Sequence, residues 1–576
     1  MKRLIAVLIG GVVLVGPLSS VGSAAGIPDE HWTPIAQPQG EGWRSLYIGD
    51  NTTLNREPST LYAEEERVGN TNPTSYHCAS VDSAKCIELR RIQASAFLQP
   101  CSIKIPTNCI ESFYAVDLMG NRIDATSPVN YPQASKWDYP GVDALNLPTG
   151  GTPTVWTIPG INHGGGNNNY MVQAFTVSGL NKPANTRVSN EQFNLERLVV
   201  NVSPVTLIPG RYEENVAVDS TETPEKTPRG VIHNSVDEWR FCAMVANGDC
   251  QMRQAFPENI RFGVKIRLQK KISGWLHGRI FNPDATIITT PSGAQTIEVV
   301  ALPIRVPIVG EWFHWSQLTP AIQKYILDGK VIGGQGFFVS KNQANGNFQE
   351  MVGTSGEQSF DALSLWLPQL KDRASANPST WTFYNLGEWE LAEASKCISG
   401  ANDLVGMVTT NATVYAAGTP RFNAANQSLD YKVMAPHFTS KGEVFKGTYD
   451  LRIRSEVARC IYGFTSAPIQ ASISVLSEDG SMQRATQTVN EDKGWLSLSA
   501  NGFSYSSPTI QVLLSQSDET LTPTPEITTQ ATPEPSVKAA PIKRTITCAK
   551  GKGGAQVKRK VTAIKPVCPA GYRKVA

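Results

Sequence analysis

Ten cysteines in a chain of 576 residues constrain the fold more than any other feature, because their spacing is local. Cys78 and Cys86, Cys101 and Cys109, and Cys242 and Cys250 each enclose seven residues. Cys397 and Cys460 bracket a longer stretch, and Cys548 and Cys568 lie near the end. Nearest-neighbour pairing makes five bridges, with Cys78 to Cys109 and Cys86 to Cys101 as the open alternative in the first cluster. In the chain-entropy account a ring this small stabilises by about 2 to 3 kcal/mol, and the Cys397 ring by about 4. No CxxC occurs, and the only histidine beside a cysteine is His77. The pattern predicts staples formed in an oxidising compartment, with no metal site and no cofactor.

The start of the chain agrees with that compartment. Lys2 and Arg3 precede an apolar run over 4–15, and Gly22, Ser23, Ala24 and Ala25 offer a cleavage point, so 1–25 reads as a signal peptide. The run is shorter than the roughly 20 residues a bilayer span needs. The expectation is a secreted protein, extracellular or associated with the cell surface, with no membrane span after cleavage.

Net charge is +2, but the average hides two opposed bodies. The last stretch, 542–576, carries Lys543, Arg544, Lys550, Lys552, Lys558, Arg559, Lys560, Lys565, Arg573 and Lys574 and no acidic side chain. Without those ten and the two leader cations, 40 basic groups face all 50 acidic ones. Between body and tail, 515–541 is rich in Pro, Thr and acids, a composition that buries little and reads as a disordered linker. The tail itself reads as a small basic hairpin, 545–549 with 557–564, clipped by Cys548 and Cys568. Its expected partner is an anionic envelope polymer. Nucleic acid is excluded as a partner, since Tyr572 is the tail's only aromatic side chain for stacking.

The body reads as mainly β, in antiparallel sandwiches of immunoglobulin-like or jelly-roll-like layout, divided at 26–229, 230–395 and 396–514. The clearest signal lies in 261–269, where Phe262, Val264, Ile266 and Leu268 alternate with Arg261, Gly263, Lys265 and Arg267. Further strands are predicted over 112–118, 170–177, 198–202, 285–290, 295–301, 449–453, 470–476, 485–489 and 509–514. One short helix is predicted over 320–327, with Thr319 as N-cap and Gly329 just past its end. The loop 160–169 reads as a mobile connection.

Val457-Ala-Arg-Cys-Ile-Tyr-Gly-Phe464, Gly494-Trp-Leu-Ser-Leu-Ser-Ala-Asn-Gly-Phe503, the Thr-Pro spacer and the two-cysteine ending Thr545-Ile-Thr-Cys548 through Tyr572 resemble a group of uncharacterised secreted proteins of Actinobacteria. The resemblance implies export and a cell-envelope or extracellular setting. It carries over no activity and no site residues.

No nucleophile elbow, phosphate loop or HExxH is present, which argues against an enzyme. Glu238-Trp239, Glu311-Trp312 and Glu388-Trp389 repeat an acid beside an indole, the raw material of a polysaccharide hydrolase near Glu311 or Glu388. On strands each such tryptophan would enter the core and its glutamate would face solvent. The remaining candidate is a ligand groove for an extracellular glycan, built from Trp275, His277 and Arg279 with Trp312, His314 and Trp315. Adhesion through such β domains is the leading expectation, with the hydrolase and a structural envelope component as alternatives.

Overall fold

A computed structural model describes residues 29–32, 37–50, 59–66, 74–210, 216–217, 231–232, 241–246, 248–330, 347–465, 469–476, 482–483, 486–505, 509–516, 544–550, 557–563, 568–569 and 572–575. Two compact units result, Met1–Ser517 and Asp518–Ala576.

The large unit is mainly β and is organised by one sheet whose central strands are buried on both faces. Its path runs Ser75–His77, Thr60–Glu64, Arg91–Phe97, Asn169–Asn181, Asn194–Ile208, Ser379–Asn385, Gly274–Arg279, Leu404–Thr410, Gly447–Arg454, Trp495–Phe503, Thr486–Asp492. Neighbours are antiparallel except Gly274–Arg279 and Leu404–Thr410, which run parallel. Side chains alternate across a strand, so Leu276 and Met407 enter one core while Trp275 and Val408 enter another. A strand covered on both sides shows no polar face, and all six residues of Gly274–Arg279 are buried.

The first core lies under a five-stranded sheet in the order Phe281–Thr289, Gln295–Leu302, Arg261–Leu268, Cys109–Val116, Arg122–Asp124. There Phe262, Val264, Ile266 and Leu268 are fully buried, as the alternation requires. The second core lies under strands Ser428–Met434, Thr509–Gln516 and Ile469–Leu476. A third joins a small sheet to two helices. Trp43–Ile48 pairs antiparallel with Val309–His314 and parallel with Phe348–Val352, and Ile322, Ile326, Phe360 and Trp366 cover it. The helix Pro320–Leu327 begins where expected: the Thr319 hydroxyl accepts from the Ile322 N–H at 3.4 Å, and Gly329 takes a positive φ of 69°. Glu357–Trp366 and Ser455–Tyr462 are helices that the strand texture concealed.

The expected division of the body is corrected by strand pairing. Val199–Val202 pairs with Trp381–Tyr384, and Gly274–Gly278 pairs with Leu404–Thr409, so one sheet crosses both the 229/230 and 395/396 boundaries. The first core likewise draws Phe113, Phe262, Trp381 and Leu404 from all three stretches. Each stretch alone would leave one face of its longest strands in water. The loop 160–169 is also tied in place, with His163 buried, its Nε2 against Val205 O and its Nδ1 accepting from the Gly165 N–H.

Four bridges form as expected: Cys78–Cys86, Cys101–Cys109, Cys242–Cys250 and Cys397–Cys460. Cys568 is disulfide-bonded, while the side chain of Cys548 lies outside the described residues. Among the described residues no cysteine is free, and no helix is long and apolar enough to cross a membrane.

The small unit pairs Arg544–Lys550 with Val557–Ala563, the expected hairpin, and adds Arg573–Val575 on the other edge of the first strand. Ala549 is buried, and Lys550, Lys560 and Arg573 are exposed. Lys543, Lys552 and Lys565 lie outside the described residues, as do the side chains of Arg544, Lys558, Arg559 and Lys574. Residues 1–28 and 517–543, which hold the expected signal peptide and most of the expected linker, also lie outside them.

Candidate functional site

Trp275, His277 and Arg279 share one strand and point into the second core, where they are 0, 1 and 2 % exposed. The His277 ring stacks on Tyr415 at 4.1 Å and stands 5.2 Å from Tyr384, and neither ring nitrogen finds a hydrogen bond. Burial, with Arg279 nearby, pushes His277 well below the ordinary imidazole value. The Arg279 guanidinium lies over Tyr415 at 4.5 Å, donates to Thr410 O and Ala412 O, and pairs with Asp50 at 2.5 Å. Trp312, His314 and Trp315 belong instead to the small sheet and the turn after it. There His314 meets Trp43 edge-on at 5.5 Å and accepts from the Ser316 N–H. The two trios thus have separate neighbours, and the first has no open face to offer a ligand.

The acid-indole repeats also separate. Glu311 is exposed opposite Leu46 on the small sheet, whereas Glu388 opens the short helix Glu388–Leu391. Trp389 is 94 % exposed, the reverse of the core position expected on a strand. Glu238 and Trp239 lie outside the described residues.

A different set of residues forms an open polar cleft of about 430 Å³. Its floor is the outer face of three neighbouring strands. In Gly447–Arg454, Tyr449, Leu451 and Ile453 enter the second core, which turns Asp450 and Arg452 to the opposite face, Asp450 buried at 3 % exposure and Arg452 partly exposed. In Trp495–Phe503, Leu496, Leu498 and Ala500 do the same and turn out Ser497, Ser499 and Asn501. Register then builds rows across the strands: Thr409, Asp450, Ser499 and Thr488 stand in one, and Arg452, Ser497 and Asn490 in the next. The start of the Phe281–Thr289 strand forms the wall. Arg452 locks it in place by donating to Asp284 at 2.7 Å and to Pro283 O at 3.3 Å, while Arg261 donates to Asn282 O.

Asp450 is the chemically distinctive group. Its carboxylate accepts from the Asn282 N–H at 2.8 Å and the Thr409 hydroxyl at 3.0 Å, with the Ser499 hydroxyl facing it across the strand pair. Desolvation outweighs these donors and pushes its pKa up to about 6. Asp284 and Asp492 line the same cleft, so one acid close to neutrality stands among other carboxylates and a dense array of hydroxyl and amide groups. Sequence reasoning predicted strands over 449–453, 485–489 and 285–290 but neither the strand Trp495–Phe503 nor this site. The strand that holds Asp450 was legible, whereas the wall comes from Asn282, 168 positions away.

The fold and cleft define a mainly β protein with a polar cleft formed between two of its sheets. No family model, no curated protein and no solved structure matches this chain.

Proposed function

We propose that this is an exported protein that binds an extracellular glycan in the Asp450 cleft and associates with an anionic envelope polymer through its basic tail. The cleft carries the reading. Asn282, Asn490, Asn501, Ser497, Ser499 and Thr488 supply donors and acceptors at the spacing of neighbouring strands, about 5 Å, which suits successive hydroxyls of a sugar chain. Export is supported by the leader-like start, the four disulfides and the resemblance to actinobacterial secreted proteins.

Asp450→Asn removes a charge from the cleft while keeping its shape. Hydrogen bonds to charged groups contribute about 1.5 to 3 kcal/mol, so affinity for the glycan retained by the wild-type chain should fall about tenfold to a hundredfold. The measurement is retention of the full chain on immobilised cell-wall polysaccharides at two salt concentrations; equal retention of both proteins would remove the cleft from the proposal. A second reading, a polysaccharide hydrolase, is favoured by one observation: the raised Asp450 is a candidate general acid in the same cleft as Asp284. Release of reducing ends in the same wells by wild type, and not by Asp450→Asn, would establish it.

The tail makes a separate prediction. Deleting 542–576 should shift the protein from the cell fraction to the medium, and high salt should do the same to the intact chain, because exposed charges are screened within about 10 Å. Unchanged fractionation would exclude anchoring by the tail.

A further inference from the structure

We infer that the glycan bound in the Asp450 cleft carries free amines, whose ammonium groups meet Asp450 and Asp492; this rests on the glycan reading of that cleft and names its ligand class. Two cations and three carboxylates line the cleft, and their pairing decides which charge is left for a ligand. Arg452 is spent on Asp284 and Pro283 O, at 2.7 and 3.3 Å. Arg261 is spent on Asn282 O and Val300 O, at 3.2 and 2.9 Å. Both cations thus hold the wall, and Asp284 is neutralised with them. Among the described residues Asp492 pairs with its chain neighbour Lys493, at 3.9 Å and with both side chains exposed, a pair of little strength. The charge that remains for a ligand is negative.

Asp450 carries most of this preference. Its Oδ2 holds the bonds from Asn282 and Thr409, while its Oδ1 is enclosed and accepts no hydrogen bond of standard geometry. Hydrogen bonds from Asn282, Thr409 and Ser499 oppose its desolvation, and no cation does. A buried carboxylate without a countercharge gains most from a ligand that brings one, since a hydrogen bond between charged groups is about twice as strong as a neutral one. A sugar hydroxyl brings no charge, and a uronate would bring repulsion. The Ser499 hydroxyl rotates freely, so it can donate to Oδ1 and accept from the ammonium, which carries the contact from the cleft to the enclosed oxygen. Among the described residues no group of three His, Cys, Asp or Glu side chains is placed to hold a metal ion, so the cation that fits is an organic one. Asp450 stands in the row of Ser499 and Thr488, and Asp492 lies four residues past Thr488 on the same face, about 13 Å along the strand. One sugar ring does not span that distance, so the ligand is an oligomer with amines on several rings.

The test is calorimetric titration of the full chain, at pH 6.5 and low salt, with a glucosamine hexamer, its N-acetylated counterpart and hexalysine. The two sugars differ only in whether the amine is free. The glucosamine hexamer should bind about tenfold more tightly than the acetylated one, Asp450→Asn should erase that preference, and Asp492→Asn should reduce it about threefold. Equal or tighter binding of the acetylated hexamer, a preference that survives Asp450→Asn, or hexalysine bound as tightly as the glucosamine hexamer would overturn the amine inference. If the two hexamers bind equally and Asp450→Asn weakens both, the glycan reading stands without it. Binding of neither hexamer also overturns the inference, and retention of the chain on cell-wall polysaccharides then shows whether the glycan reading falls as well.

Discussion

Replacing Asp50 by Ala should destabilise the large unit by about 3 kcal/mol, the lower end of the cost of breaking a buried ion pair. Arg279 cannot respond by turning to water. It is 2 % exposed, its Nη1 is committed to the carbonyls of Thr410 and Ala412, and its flat face covers Tyr415. Among the described residues it is the Asp50 carboxylate that forms an ion pair with this guanidinium, through Nε at 2.5 Å and Nη2 at 3.1 Å. Asp50 keeps 22 % of its side-chain surface, which lets water reach the gap it leaves and holds the cost to the lower end. Urea unfolding at fixed ionic strength measures the loss. Asp50→Ala combined with Arg279→Met should recover most of it, since a buried pair replaced by apolar groups is often neutral. A loss below about 1 kcal/mol in the single variant would show that the two carbonyls suffice to hold the cation.

That pair illustrates what the sequence could and could not convey. Disulfide partners were legible because each small ring is local, and the helix at Pro320 because its cap, its proline and its closing glycine lie within eleven residues. Strands with one wet face were legible as alternation, as in Phe262 to Leu268. The strand Gly274–Arg279 was not. Its Trp, His and Arg look like surface chemistry, yet the sheet position gives it a neighbour on each edge and a core on each face. His277 and Arg279 then become internal groups whose partners, Tyr415 and Asp50, come from distant parts of the chain. The same distance hid the division of the body, since pairing across 229/230 and 395/396 leaves no trace in composition.

Asp450→Asn should make the protein more stable at pH 7 to 8, by about 3 kcal/mol, while weakening the binding proposed for its cleft. A carboxyl raised from its ordinary 3.8 to about 6 is held in the fold more easily protonated than charged, and each pKa unit corresponds to about 1.4 kcal/mol. Above pH 6 the charged group opposes folding by its full amount. Between pH 6 and about 4 the folded state takes up the proton first, so that cost disappears as the pH falls. The amide can keep the existing contacts, its oxygen accepting from Asn282 and Thr409 and its NH2 facing Ser499. His277 works in the opposite sense. Its folded pKa is depressed below 6.5, so the unfolded chain takes up its proton first and stability falls as the pH drops below that value. In the wild type the two trends partly cancel between pH 6 and 4, and in Asp450→Asn the His277 loss stands exposed as a steeper acid limb. Urea midpoints at pH 4, 5, 6, 7 and 8 read both effects. A difference between the proteins that is flat across that range would mean that Asp450 is not charged at a cost in the fold. A stabilised variant that also loses the ligand would mark Asp450 as a residue kept against stability, which a purely structural position in a β-sheet does not require.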